Sequence, residues 1–248
     1  MSLLNIALVC IAKNEDRYID EWIDYHLTLG FNRVHIYAND WNYANNSGYV
    51  TITNIAGKNQ QRNAYNDFIK KYNHEYNWAA FFDVDEFLVL KKHENLQNFL
   101  SDYKECQSIG INWAIFGNNG HKKIINNNYS VLSRFTKRST EKYFTNTFVK
   151  NITQLPTKYQ QDIHNPDGPW YNLNKKIRFG SFNKPVDWSV AQINHYFTKS
   201  DEEFMLKCKR GRADSSEIRM YFQHLDDMNC NAVDDYAARD SYFLRKQY

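Results

Sequence analysis

The chain has 248 residues, with 31 Lys and Arg against 28 Asp and Glu for a formal net charge of +3. That balance excludes nucleic-acid binding by bulk electrostatics, so any basic patch must be local. The length suits one large α/β domain; the four cysteines, Cys10, Cys106, Cys208 and Cys230, lack CxxC spacing, which argues against a zinc site or a disulfide framework and fits a reducing cytoplasm.

The opening residues carry no basic leader, and the apolar run meets Lys13 too soon to span a bilayer. Ile6 to Ile11 reads as a strand buried on both faces of a parallel sheet, and Lys13-Asn14-Glu15-Asp16 as the turn after it. Tyr18, Ile19, Trp22, Ile23, Tyr25, His26 and Leu29 recur at helical spacing, with Gly30 as the stop. Arg33 to Ala38 is a second strand that ends in the polar cluster Asn39-Asp40-Trp41-Asn42-Tyr43. Tyr49 to Ile55 predicts an edge strand, Gln60 to Tyr72 an amphipathic helix, and Trp78 to Phe82 a further buried strand.

That last strand runs into Asp83, Asp85 and Glu86 before apolar residues resume at Phe87. Carboxylates at the end of a buried strand carry a large desolvation cost unless a cation or strong hydrogen bonds meet them. Alternation along a strand would turn Asp83 and Asp85 to one side, an oxygen pair that suits Mg2+ or Mn2+ better than zinc. A strand simply ending in hydrogen-bonded acids is the plainer alternative. In an α/β sheet, ligands gather beyond the carboxyl ends of the strands, and the clusters at 13 to 16, 39 to 43 and 83 to 86 all belong to that edge.

In the second half, Trp113 to Phe116 leads into the turn Gly117-Asn118-Asn119-Gly120. Core packing is the better reading of Trp113 than stacking on a sugar. The stretch from Gln154 to Trp188 contains His164-Asn165-Pro166-Asp167-Gly168-Pro169-Trp170 and reads as a loop that lids a site. Val190 to Asn194 is strand-like and delivers His195. A helix over 201 to 212 places Lys207, Arg210 and Arg212 near Lys199, a cluster able to neutralise a departing diphosphate or, more plainly, a solvated basic face. The tail, with Tyr236, Tyr242, Phe243 and Leu244 beside Arg239, Arg245 and Lys246, either touches a membrane surface or packs on the body.

Taken together, Ala12-Lys13-Asn14-Glu15, Tyr18-Ile19 with Glu21-Trp22 and His26, Asp83-Val84-Asp85-Glu86-Phe87, and Ile193-Asn194-His195-Tyr196 with Lys199-Ser200 resemble the family 2-like glycosyltransferases of bacteria and the related family 92 enzymes. The resemblance spans most of the chain. It implies a GT-A type fold, a Rossmann-like mixed sheet flanked by helices, in a single domain over 1–248 with a C-terminal helical extension. Residues 1–110 would form the nucleotide-sugar-binding half and 111–248 the acceptor-binding half. It also implies a UDP-sugar donor and Mn2+ or Mg2+ held by the Asp-x-Asp pair, in an inverting hexose transfer, of galactose or glucose, for capsule, lipopolysaccharide or exopolysaccharide synthesis. The acceptor would be a carbohydrate, free or lipid-linked, with at most peripheral membrane contact from the cytoplasmic side.

By the same resemblance, Asp83 lies near the donor's ribose and sugar and Asp85 ligates the metal, with His195 completing the shell. Asn14 and Glu15 close over the base, and Asp40 meets the nucleoside. Arg62 is either a base or phosphate contact or one half of a surface salt bridge. Inversion needs a carboxylate to deprotonate the acceptor hydroxyl. Asp162, Asp167 and Asp187 are candidates, and Asp167 leads because glycine and prolines hold it in an exposed loop. Two rival classes are a metal-dependent nucleotidyltransferase or phosphatase and a non-catalytic carbohydrate- or nucleotide-binding protein. The first lacks a phosphate-gripping glycine loop here, and the second has no use for costly acids on a buried strand.

Overall fold

A computed structural model describes residues 3–125, 130–211 and 230–247. Its first half alternates β1 (Ile6–Ala12), α1 (Ile19–Leu29), β2 (Arg33–Asn39), β3 (Val50–Ile55), α2 (Gln61–Tyr72), β4 (Trp78–Phe81), β5 (Glu86–Leu90) and α3 (Leu96–Asp102). The second half adds β6 (Ser108–Ile115), α4 (Val131–Arg134), β7 (Lys137–Arg138), β8 (Val149–Gln154), β9 (Trp170–Tyr171), β10 (Ile177–Arg178) and β11 (Ala191–His195). It closes with α5 (Asp201–Arg210), β12 (Val233–Asp234) and α6 (Ala237–Arg245).

One mixed sheet runs β10-β9-β6-β8-β4-β1-β2-β3, with β11 pairing β6 and β5 beside it. The strands β3, β2, β1 and β4 are mutually parallel, while β8 lies antiparallel between β4 and β6. The expected α/β architecture is therefore present, with β3 at the edge. Along this path the second-half strands β10, β9, β6 and β8 lie together and the first-half strands β4, β1, β2 and β3 lie together, while β5 crosses over to pair with β11.

The continuous apolar run of β1 has a direct reason. Ile6, Leu8, Cys10 and Ala12 face the larger core under α1 and α3, whereas Ala7, Val9 and Ile11 face a second core with Tyr65 and Phe68 of α2. A strand covered on both faces has no polar side to show. Each large side chain so buried contributes about 1.5–3 kcal/mol.

Three expectations are corrected. The strand carrying the acids stops at Phe81, and Val84 and Asp85 sit in a turn, so strand alternation does not govern Asp83 and Asp85. The stretch from Gln154 to Trp188 is not a lid throughout: it gives β9 and β10 to the sheet, with Trp170 fully buried against Gly110. A Cβ on Gly110 would lie 2.3 Å from that indole, so only glycine fits. The helix expected over 201 to 212 ends at Arg210, with Gly211 as its C-cap at φ 86°, and Arg212 lies outside the described residues.

The tail packs on the body. The Lys246 ammonium lies 2.6 Å from Asp24 of α1, and the Tyr242 and Tyr25 rings are 5.6 Å apart. No helix among the described residues is long and apolar enough to cross a membrane.

Candidate active site

The acids are held from behind by α1. The Trp22 indole donates to the Glu86 carbonyl at 2.7 Å and the Tyr25 hydroxyl to the Leu88 carbonyl at 2.7 Å. His26 Nε2 accepts the Leu88 N–H at 3.3 Å, while its Nδ1 meets the Trp22 carbonyl. The aromatic motif of α1 thus satisfies the edge of β5 that no strand pairs. Burial pushes His26 down to about 3, so it stays neutral as this role requires.

From the front, β11 supplies the late histidine. Its antiparallel register sets His195 opposite Glu86, and Tyr196 N–H donates to the Asp85 carbonyl at 2.9 Å. His195 Nε2 then faces Asp85 Oδ1 at 3.5 Å. Pairing of β11 with β5 therefore brings together two residues 110 positions apart in sequence. The second Asp85 oxygen takes the Lys207 ammonium of α5, which also donates to the Phe197 carbonyl at 3.0 Å. Burial alone would raise Asp85, but Lys207 and then His195 hold it well below the usual carboxylate range.

Asp83 has a separate set of partners. Its Oδ1 accepts from Gln61 Nε2 at 2.8 Å, and its Oδ2 accepts from Lys150 Nζ at 3.0 Å. Lys150, on β8, is fully buried, and it also lies 3.4 Å from the fully buried Glu86 carboxylate. Burial pushes Glu86 up despite Lys150. The sequence reading missed Lys150 and Gln61. The available signal was a lysine inside the short strand Val149–Gln154, where a solvated charge has no place.

The polar loops converge as expected. Lys13 and Asp40 form an ion pair at 3.3 Å, the Trp41 indole donates to Asp16, and Arg210 bridges the Lys13 carbonyl and the Glu15 carboxylate. Asn14 turns the chain in the left-handed region at φ 52°. Lys199 does likewise at φ 53°, and its ammonium stands 4.6 Å over the Tyr18 ring. So α5 contributes Lys207 to the acids and Arg210 to the first loop. That helix is pinned by a capping box between Ser200 and Glu203, and Glu203 takes Arg134 at 2.8 Å and the Tyr18 hydroxyl at 2.6 Å.

Beside Asp83 opens a cleft of about 370 Å³ lined by Asn59, Gln61, Arg62, Asp162, Ile163 and His164. Arg62 forms a bidentate pair with Asp162 there, the salt-bridge alternative for that residue. Trp113 is buried, 4.3 Å from the His195 ring and 5.1 Å from His164, in line with a core role. Asp167 is tied into its own loop. Its Oδ1 accepts the Gln160 N–H at 3.0 Å in an exposed turn. Asp187 likewise caps the Ser189 N–H.

The donor set can be tested against a metal. Asp85 Oδ1 and His195 Nε2, 3.5 Å apart, are the two donors that would hold a divalent ion, the other Asp85 oxygen being taken by Lys207. No group of three or more His, Cys, Asp or Glu side chains able to hold an ion occurs among the described residues. Two side-chain ligands fit Mg2+ or Mn2+, which take the remainder from phosphate and water, and do not fit structural zinc.

A family model described as Glycosyltransferase family 92 matches residues 7–230. A glycosyltransferase family 92 protein of Oryza sativa subsp. japonica is 30% identical over 132 residues, 48% of this chain and 23% of the rice protein, so the match spans under a quarter of that relative. Among solved structures, S. aureus TarS 1-349 is similar at TM-score 0.38 and 12% identity, covering 61% of this chain and 47% of that one. A second S. aureus TarS structure gives TM-score 0.36 at the same identity and covers 61% of this chain and 28% of that one.

Proposed function

Because the chain belongs to glycosyltransferase family 92, we propose that it transfers a hexose, galactose or glucose, from a UDP-sugar to a carbohydrate hydroxyl with inversion. The observation that carries this reading is the pairing of Asp85 with His195 and Lys207, with the Lys199 charge also acting on Asp85. A buried carboxylate beside an imidazole and two cations is a place for a diphosphate, whose negative charge needs neutralising as it leaves.

In this reading Asp85 and His195 hold Mn2+ or Mg2+. The ion, when bound, supplies Lewis-acid neutralisation of the diphosphate. Lys207 and Arg210 lie on a helix whose cap is fixed, so they add positive charge from a set position at little entropic cost. Asp83, kept in place by Gln61 and Lys150, accepts hydrogen bonds from donor hydroxyls. Asn14, Glu15 and Asp40 enclose the base and nucleoside, and Arg62 at the cleft mouth reaches the phosphates when it leaves Asp162. Lys199 stays with this basic group. Asp167 is assigned the deprotonation of the acceptor hydroxyl. Surface polysaccharide or lipopolysaccharide synthesis in the cytoplasm is the setting that suits these parts.

Calorimetric titration of UDP tests the reading in three conditions: with Mn2+, with EDTA, and with Mn2+ in the Asp85→Asn variant. Binding that requires the metal and falls at least tenfold in the variant is expected. Binding indifferent to both would remove the acids from nucleotide recognition and return the chain to a binding role without transfer.

A further inference from the structure

Three of the four exposed phenylalanines among the described residues gather where the β9–β10 hairpin meets the turn at Phe144. Phe179 is 70% exposed, Phe144 58% and Phe182 44%, and Ile177 beside them is 55% exposed. Phe144 and Phe182 touch, with ring centroids 6.0 Å apart, and the Lys184 ammonium lies 4.8 Å over the Phe144 ring. Single exposed apolar residues need no explanation, but a touching pair with two more exposed apolar side chains within five residues of Phe182 does.

The same segment is basic. Between residues 171 and 186 there is no Asp or Glu, while Lys175, Lys176, Arg178 and Lys184 fall within it; Asp187 follows and accepts from Asn174 at 2.8 Å, and Lys142 stands near Phe144 with Glu141 before it. None of these five cations forms an ion pair with a described residue; the lysines and arginines elsewhere that flank the site are mostly bridged. The backbone under the patch is firmly tied. Asn183 N–H donates to the Thr147 carbonyl at 2.8 Å, Val149 N–H to the Ser181 carbonyl at 3.1 Å, and the Trp170 indole to the Gly180 carbonyl at 2.8 Å. Exposed aromatic and aliphatic side chains are thus presented on a fixed frame, with Lys184 over Phe144 and further cations along the same stretch.

We propose that this hairpin docks the protein on an anionic lipid surface. Phenylalanine and isoleucine enter the interfacial region, and lysine and arginine meet acidic headgroups, each part doing what the other cannot. Charge complementarity selects this occupant over a second copy of the chain, since a two-fold contact through the patch would set Lys176, Arg178 and Lys184 against their own counterparts. The surface lies close to the candidate site: the Phe182 ring packs tilted against Phe148 with centroids 4.4 Å apart, and Phe148 packs on His164 of the cleft at 5.0 Å. Building on the transferase reading, this places a lipid-linked acceptor within reach of the cleft. It also moves the membrane-facing surface away from the C-terminal tail, which packs on α1.

The test is sedimentation of the full chain with vesicles of phosphatidylcholine alone or mixed with phosphatidylglycerol, across a salt series. Binding is expected to the mixed vesicles only and to weaken with salt. Phe179→Ser and the double variant Lys176→Glu/Lys184→Glu should each lower partitioning roughly tenfold, with melting temperature and UDP titration unchanged. Wild-type protein that ignores both vesicles, binds them equally, or keeps its binding in both variants overturns the proposal. So does self-association that depends on Phe179 without vesicle binding. Loss of UDP binding by the wild type would refute the transferase reading while leaving the vesicle result to stand by itself.

Discussion

Lys150 is the residue whose role is least evident from its neighbours in sequence and most constrained by its surroundings. Removing one partner of a buried charge pair costs about 3–5 kcal/mol, because the other charge is left uncompensated. Lys150→Met is therefore expected to destabilise the fold by about 3 kcal/mol, and adding Glu86→Gln should recover most of that. Donor affinity should not recover, because Asp83 still lacks the ammonium on its Oδ2. Denaturant unfolding and UDP titration of the single and double variants separate the two roles. A double variant that binds UDP like the wild type would mean that Lys150 only balances Glu86. Asp167 is tested by a different split: Asp167→Asn should lower kcat roughly a hundredfold, the scale of general base catalysis, and leave UDP affinity alone. An unchanged kcat would take Asp167 out of the mechanism.

Among the elements, α1 shows how far sequence reading reaches. Its apolar and aromatic spacing predicted a helix, and the helix is there. That Trp22, Tyr25 and His26 would spend their polar atoms on the backbone of β5 was not legible, because spacing gives a face but not the atoms opposite it. The β5–β11 register was equally hidden, since strand pairing between residues 101 to 109 positions apart leaves no local mark. By contrast, Ser200 and Glu203 announce the capping box of α5 within four residues. The α1 clamp separates two substitutions. Tyr25→Phe removes one hydrogen bond to Leu88 and should cost about 1 kcal/mol without affecting UDP binding. Trp22→Phe frees the Glu86 carbonyl next to Asp85, so it should cost about 2–3 kcal/mol and weaken UDP binding as well. Equal effects of the two variants on UDP affinity would show that the clamp does not set the position of Asp85.

At the scale of the molecule, burial keeps three histidines neutral, His26 and His35 in the packed interior and His164 in the cleft wall. Burial lowers His26 to about 3 and His35 to about 4. Burial, followed by the nearby Lys150 charge, lowers His164 to about 4. Unfolded histidine takes up its proton near pH 6.5, whereas His35 and His164 refuse it until about pH 4 and His26 until about pH 3. Between those values the unfolded chain binds more protons, so stability falls as pH falls, by up to about 1.4 kcal/mol per pH unit for each histidine. Glu203 extends the loss to lower pH. Burial works against its ionisation, but hydrogen bonds from Arg134, Ser200 and Tyr18 hold it down at about 2, so its contribution is complete above about pH 4.5 and disappears as pH drops toward 2. Thermal melts between pH 7 and pH 4 should therefore show a steady fall in Tm, and His35→Gln, which removes one of the three, should flatten the curve. A Tm independent of pH across that window would mean that these histidines accept protons in the folded state, and that their surroundings are more open to water than the packing implies.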